Sequence, residues 1–169
     1  MAFMVLGMMS SASALTLTPG DADWSGSSPT NPKAGDISGL VGSDVYEVYK
    51  QDLSGPESGA YAGSYETAFY NTPTDPQDAT ITYVGGTPIS GDPLYLMVKD
   101  GNHDPIWYIF DLSNWNGTEA IYLQGFWPDQ GAISHVSIYS VSEPSTLLLL
   151  GAGLIGLGLL GRRKFRTKP

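Results

Sequence analysis

The sequence contains no cysteine, which excludes a disulfide framework, a thiolate metal site and a cysteine nucleophile. It has only two histidines, His103 and His135, and neither has the spacing to serine or acidic residues that is typical of catalytic motifs. No stretch between residues 15 and 141 keeps a helical hydrophobic period for long. We therefore expect an all-β domain that is not an enzyme, with no catalytic residues assigned.

Positive charge is scarce in most of the chain. Of the eight Lys and Arg residues, only Lys33, Lys50 and Lys99 precede residue 142, whereas every acidic residue except Glu143 lies in that part. Nucleic-acid binding needs basic side chains to neutralise phosphates, so nucleic acid is excluded as a partner. Neutral glycans, cations and other proteins are left as partner classes. A second interpretation is that the negative charge only keeps the protein soluble.

The first 14 residues have features of a secretory signal peptide. An apolar run at residues 2–9 is followed by serine and alanine, and Ala12 and Ala14 satisfy the small-residue rule of signal peptidase. We expect cleavage after Ala14, with signal peptidase as a processing partner. The basic residue that usually precedes the run is missing, and the alternative is a buried N-terminal strand.

An apolar segment near the C-terminus predicts a single transmembrane helix. Residues 146–161 carry no charge, and as a helix they span roughly 24 Å, slightly less than a hydrocarbon core of about 30 Å. The basic end, residues 162–169, includes Arg162, Arg163 and Lys164, which orient the helix with this end in the cytoplasm and the acidic domain outside. A soluble core helix or a terminal strand is the alternative, although glycines disfavour an isolated soluble helix.

These C-terminal residues resemble the PEP-CTERM sorting signal of Gram-negative bacteria, which combines a Pro-Glu-Pro motif, an apolar span rich in Leu, Gly and Ala, and a short basic end. Ser142, Glu143 and Pro144 stand at the motif, and Ser142 replaces the first proline. The span and the basic end follow the pattern. The resemblance covers the sorting tail, residues 142–169.

The resemblance implies export and processing near the motif by exosortase, a membrane-embedded protease. It also implies a precursor tethered to the inner membrane and then a location at the cell surface or in an extracellular matrix, often together with exopolysaccharide and biofilm. On this basis we expect a structural or adhesive protein. The alternative is a glycan-binding β-sandwich module delivered by the same route, and a secreted hydrolase is a less favoured third.

The exported part is predicted to be an antiparallel β-sandwich or jelly roll at residues 43–141. Residues 15–42 are rich in Gly, Ser and Pro and predict a loop or weakly ordered lead-in. Beyond them, short β-rich runs alternate with turn residues, as in all-β sandwiches. The predicted strands are 44–50, 63–70, 79–84, 94–99, 106–112, 120–124 and 133–141.

The clearest unit is a hairpin at residues 94–112, whose arms are apolar at nearly every position and are therefore expected to be central and covered on both faces. Its turn contains the Asp-Gly pair typical of hairpins. Asp100, Asn102, Asp104 and Asp111 stand at positions 1, 3, 5 and 12 of an EF-hand-like loop, which makes them weak calcium candidates. Proline at the position where that loop needs glycine argues against an EF-hand. Calcium held in another geometry and an ordinary polar turn are the alternatives, and no other cofactor is expected.

Two tryptophans in predicted loops are candidates for a glycan-binding surface. Trp115 lies in the run Asn-Trp-Asn-Gly, and Trp127 follows Phe126 and precedes a proline. Exposed aromatic rings bind the apolar faces of sugars, with polar groups around them. The competing interpretation is that both rings cap the core beneath loops.

Overall fold

The computed structural model describes residues 14–71, 75–101, 103–129, 131–141 and 152–155. The described elements are mostly strands, with a 3-10 helix (Pro19–Asp21) between the first and second, a short α-helix between the second and third, and a helical segment at residues 152–155. In chain order they are β1 (Ala14–Leu17), β2 (Trp24–Gly26), α1 (Ala34–Val41), β3 (Val45–Asp52), β4 (Tyr65–Tyr70), β5 (Asp78–Tyr83), β6 (Leu94–Asp100), β7 (Trp107–Asp111), β8 (Ala120–Leu123) and β9 (Ile133–Val141).

The strands form two sheets. A four-stranded sheet has the order β1-β8-β5-β4, and a five-stranded sheet has the order β2-β7-β6-β9-β3. β1 runs parallel to β8, and the other pairs are antiparallel. All seven strands predicted from the sequence are present, and this mostly antiparallel architecture confirms the predicted sandwich.

The inner faces of the two sheets bury one continuous apolar cluster. Leu96 and Val136 come from the five-stranded sheet, and Ile81 and Ile121 come from the four-stranded sheet. Each such side chain contributes about 1.5–3 kcal/mol when fully buried. Within this layer Tyr65 donates a hydrogen bond to the Gly117 carbonyl at 2.6 Å and accepts one from the Ile89 amide at 2.7 Å. The burial of this hydroxyl raises the pKa of Tyr65 to about 12.

A second apolar layer covers the outer face of the five-stranded sheet. Ile37 of α1 is 0% exposed and belongs to one cluster with Met97, Trp107 and Ile109. Because apolar layers lie on both sides, every residue of β6 is buried. The prediction of a central hairpin covered on both faces is therefore confirmed.

The prediction that residues 15–42 form only a loop or weakly ordered lead-in is wrong. This segment contains most of β1, all of β2 and α1, and the indole of Trp107 donates a hydrogen bond to the Pro29 carbonyl within it at 3.2 Å. Its apolar residues are few but well placed, because Leu17 packs between the sheets and Ile37 packs on the outer layer. Tertiary contacts therefore order a segment whose local composition is typical of turns.

The helix α1 has short-range signals at both of its ends. The Asp36 carboxylate accepts a hydrogen bond from the Lys33 amide at 2.8 Å, which satisfies one of the free donors at the start of the helix. Gly42 ends the helix in the left-handed conformation, with φ of 73°, where glycine is the favoured residue.

Candidate functional site

The sorting-motif candidates Ser142, Glu143 and Pro144 lie outside the described residues, and so do the basic residues of the C-terminal end, Arg162, Arg163 and Lys164. Of the predicted membrane span, only residues 152–155 are described, and they are helical and exposed. Among the described residues, no helix is long and apolar enough to cross a membrane. β9 ends at Val141, directly before the motif.

The candidate glycan-binding tryptophans, Trp115 and Trp127, are both in the core. Each is 6% exposed and packs within the cluster between the sheets. The Trp115 indole donates to the Glu119 carbonyl at 2.6 Å, and the Trp127 indole donates to the Pro105 carbonyl at 2.8 Å. Rings buried in this way present no open face to a sugar, so the structure favours the competing interpretation that both cap the core.

The acidic residues of the hairpin do not converge on one point. Asp100 ends β6, whereas Asp111 pairs with Tyr95 at the opposite end of the hairpin, so about 17 Å of strand separates the two carboxylates. Asp104 accepts a hydrogen bond from the Ser27 hydroxyl, and Asn102 lies outside the described residues. The EF-hand-like arrangement is therefore wrong, because Asp100 and Asp111 cannot share an ion.

The two histidines have separate surroundings. His103 Nδ1 lies 3.1 Å from the Asp100 carboxylate, beside the hairpin turn. His135 is buried in β9, and this burial, assisted by Lys50, lowers its pKa to about 4. Within the described ranges, no group of three or more His, Asp or Glu side chains is placed to hold a metal ion.

The outer face of the four-stranded sheet carries a cavity that sequence reasoning missed. The volume of this cavity is about 280 Å³. Exposed side chains of β4 and β8 stand on either side of it, since Tyr70 is 49% exposed and Tyr122 is 40% exposed. We call this surface the tyrosine face; the cavity is lined by Tyr70, Asp78, Ala79, Thr80, Tyr122, Leu123 and Gln124.

Strand register brings the tyrosine face together. Tyr122 is paired with Thr80, and Tyr70 is paired with Asp78, so β5 lies between the two rings. The Asp78 carboxylate accepts hydrogen bonds from the Asn71 side-chain amide and from the Gly125 backbone amide, both at 2.7 Å. Asp78 therefore ties the end of β4 to the end of β8 and fixes the rim of the cavity.

The sequence holds a weak signal for this face. β8 alternates between buried and exposed positions, and Tyr122 is the exposed residue between Ile121 and Leu123. An aromatic residue at the solvent-facing position of an alternating strand is the pattern that could have drawn attention to it. Tyr70 is harder to recognise, because it is the last residue of β4.

A second cavity of similar size lies under the start of α1, on the outer face of the five-stranded sheet. Lys33, Glu47, Lys50 and His135 are among its lining residues. The Lys50 ammonium lies 3.1 Å from the Asp52 carboxylate. The cavity thus combines charges of both signs.

The fold and the tail together define a class of protein: a two-layer β domain joined at its last strand to a C-terminal sorting sequence. A family model for the PEP-CTERM protein-sorting motif matches residues 140–164. The chain therefore carries this motif, as the resemblance of its tail predicts. The motif supports an exported protein that an exosortase processes, with sorting linked to the membrane. The chain has no significant match among curated proteins or solved structures.

Proposed function

We propose that the chain is a non-catalytic protein of the cell surface or extracellular matrix, with a structural or adhesive role. The sorting motif at residues 140–164 carries the proposal, because it specifies the route of the domain to which it is attached. Signal peptidase would remove residues 1–14, exosortase would process the tail, and exopolysaccharide would surround the delivered domain.

The position of the motif supports delivery of an intact sandwich. The match begins at residue 140 and overlaps the end of β9, and β9 is hydrogen-bonded to β3 on one side and to β6 on the other. A cut inside β9 would take pairing partners from both neighbours and open the core. We therefore expect the exosortase to cut between the end of β9 and the apolar span, within residues 142–146.

The N-terminal processing site is also compatible with the fold. β1 begins at Ala14, which is exposed, whereas Leu17 is buried in the core and Leu15 packs against it. A cut after Ala14 would leave Leu15, Thr16 and Leu17 paired with β8. The delivered domain would therefore keep both of its sheets.

The composition of the domain supports a passive role outside the cell. It has three basic side chains, Lys33, Lys50 and Lys99, and a larger number of acidic ones. The resulting net negative charge favours solubility. The imidazole of His103 lies 3.1 Å from the carboxylate of Asp100, which also accepts a hydrogen bond from the Ala132 amide, and His135 is buried. A hydrolase therefore has weaker support than a structural or adhesive protein.

The test is intact mass and cell fractionation of the native protein, with and without its exosortase. We expect a mature form that lacks residues 1–14 and 147–169 and is found outside the cell when the exosortase is active. Loss of the exosortase should leave the tail attached and the protein in the inner membrane. Retention of the tail despite an active exosortase would contradict the proposal.

Charge variants provide a matched control for the route. Replacing Arg162 and Arg163 by Gln should reduce delivery, because these two residues belong to the basic cluster that orients the span. Replacing Arg166 and Lys168 by Gln also removes positive charge. These two residues lie beyond the matched motif, so this variant should have a smaller effect on delivery. Equal effects of the two sets would mean that total charge, rather than the motif, decides the outcome.

A further inference from the structure

We propose that the tyrosine face binds a neutral polysaccharide chain, with Tyr70 and Tyr122 as stacking platforms. The inference deepens the proposed function, on which it rests, by naming the class of partner that an adhesive matrix domain would hold. Its physical basis is a pair of solvent-exposed aromatic rings with a polar cavity between them. The only charged side chain described in the lining of this cavity is the carboxylate of Asp78.

The rings of Tyr70 and Tyr122 are accessible to solvent, whereas most other aromatic rings of the domain are buried or half-buried. The four tryptophans are buried or half-buried, and Tyr49, Tyr65, Tyr95 and Tyr139 are core residues. Tyr70 and Tyr122 stand on the solvent side of their strands, while their neighbours Phe69 and Ile121 pack inward. Pyranose rings have apolar faces that stack on such exposed aromatic side chains, so this position suits a sugar.

The spacing of the two rings suits a chain rather than a single small molecule. They lie two strands apart and two residues apart along the strands, which places their Cα atoms roughly 12 Å from each other. One sugar ring is too short to stack on both. A polysaccharide can place different residues on the two platforms and run across the cavity between them.

The floor and rim of the cavity offer polar partners for sugar hydroxyl groups. Thr80 lies between the rings, and Gln124 also lines the cavity. The Asp78 carboxylate is held by Asn71 and Gly125, so its position is set before any ligand arrives. A carboxylate oxygen has further lone pairs and can accept a hydroxyl hydrogen bond in addition to these two.

The charge of the face selects against anionic glycans. Among the described residues that line this cavity there is no lysine, arginine or histidine, and Asp78 contributes negative charge. Uronate, sulfate and phosphate groups would therefore be repelled. Asp78 already accepts two hydrogen bonds, and no metal-binding group of three acids or histidines is found in the described part of the chain, so a cation bridge to an anionic chain is also disfavoured.

A second copy of the chain is a less suitable occupant. Stable protein interfaces bury about 800 Å² on each partner around a largely apolar centre. The outward positions near the two tyrosines are instead small or polar, namely Thr16, Glu66, Ala68, Thr80, Thr82 and Ala120, as the strand pairing shows. Two separate rings among small and mostly polar side chains match the surface of a glycan better than that of a protein.

The experiment measures polysaccharide binding by the full chain purified in mild detergent. The neutral probes are hydroxyethylcellulose, laminarin, dextran and yeast mannan, and alginate is the anionic comparator. Affinity electrophoresis identifies the bound probe, and calorimetry gives its Kd. We expect binding to at least one neutral probe and none to alginate.

Substitutions then locate the site. Tyr70→Ala and Tyr122→Ala should each raise Kd about tenfold, because each removes a stacking platform, and the double variant should lose measurable binding. Tyr70→Phe and Tyr122→Phe keep the ring and should keep most of the affinity. The matched control is Tyr46→Ala, since Tyr46 is 48% exposed but lies on β3 of the other sheet; its Kd should not change.

Melting temperatures of all variants separate binding from folding, and Tyr122→Thr replaces the alanine variant if the latter does not fold. No binding to any neutral probe, an unchanged Kd in the double variant, or preference for alginate would each overturn the proposal. None of these outcomes alters the processing and fractionation results, so failure of the glycan site and failure of the sorting route are distinguishable.

Discussion

The two outer faces of the sandwich differ in what covers them. The outer face of the five-stranded sheet is closed by α1 and the segment before it, with Ile37 packed against Met97 and Ile109. The outer face of the four-stranded sheet carries no described helix, and its exposed tyrosines stand beside a cavity. One face is thus largely covered by an apolar layer, whereas the other leaves aromatic side chains exposed to solvent.

The strands of the two sheets reflect this difference in their sequences. β6 is apolar at most positions and is buried throughout, because both of its sides are covered. β8 alternates, with Ile121 and Leu123 directed to the core and Tyr122 directed outward. A continuous apolar strand therefore indicates a third layer, and an alternating strand indicates a solvent-facing surface.

The largest expected effect separates the core aromatic residues from those of the tyrosine face. Trp115→Ala should destabilise the domain by about 3–5 kcal/mol, because it opens a cavity in the core and removes the contact with Tyr65. Tyr122→Ala, at an exposed position, should cost under about 1 kcal/mol. Denaturant unfolding of the full chain in detergent measures both.

The same pair of variants tests the assignment of sites. Trp115→Ala should weaken glycan binding only in proportion to unfolding, whereas Tyr122→Ala should weaken binding while the midpoint of unfolding stays near that of the native protein. Lost binding with unchanged stability in Trp115→Ala would show that this ring belongs to a binding surface, against its burial in the structure.

The second prediction concerns the cover of the five-stranded sheet. Ile37→Ala should cost about 2–4 kcal/mol, since Ile37 is the fully buried residue through which α1 packs on the sheet. Native-state hydrogen exchange of the α1 amides, together with denaturant unfolding, measures the effect.

Leu40 supplies the control for this prediction. It belongs to the same helix but is 41% exposed, so Leu40→Ala should change the free energy of unfolding by less than about 0.5–1 kcal/mol. Similar losses in the two variants would show that α1 does not close the sheet in the way the structure describes, and the contrast between the two faces would fail.

Strands were predictable because their signals are local. In β6 and β7, consecutive β-branched and aromatic residues flank a turn with Asp-Gly, and both pairing and burial follow from that pattern. β1, β2 and α1 were missed for the opposite reason. α1 contains two glycines in eight residues, and the packing of Ile37 on a sheet distant in sequence adds stability that its local sequence does not show.

The candidate site was less predictable than the fold. Trp115 and Trp127 were plausible binding residues, because the sequence places them in polar loops, but loops that cross the end of a sandwich can return their aromatic side chains to the core. Tyr70 and Tyr122 become neighbours of one cavity only through β5, which pairs with both of their strands. Their association depends on strand order, and the sequence does not reveal strand order.

The smallest expected effect is a pH dependence carried by the covered sheet. His135 is buried on β9 near Lys50, Lys99 and Asp52, and its pKa falls to about 4 from the ordinary 6.5, chiefly because burial disfavours the charged imidazolium. The unfolded chain therefore binds more protons than the folded one between these two values. Stability should be full above about pH 6.5 and should decrease by about 2 kcal/mol as the pH falls from about 7 to 5.

His135→Gln isolates this contribution, because glutamine keeps a polar side chain but does not titrate. The variant is expected to have a lower free energy of unfolding at pH 7 and a flatter pH dependence between about pH 7 and 5, so the measured quantity is the difference in slope rather than the absolute stability. Other groups that titrate at acidic pH contribute equally to both proteins and cancel in the comparison. Identical slopes would mean that the imidazole reaches solvent, and the face beneath α1 would then be as open as the tyrosine face.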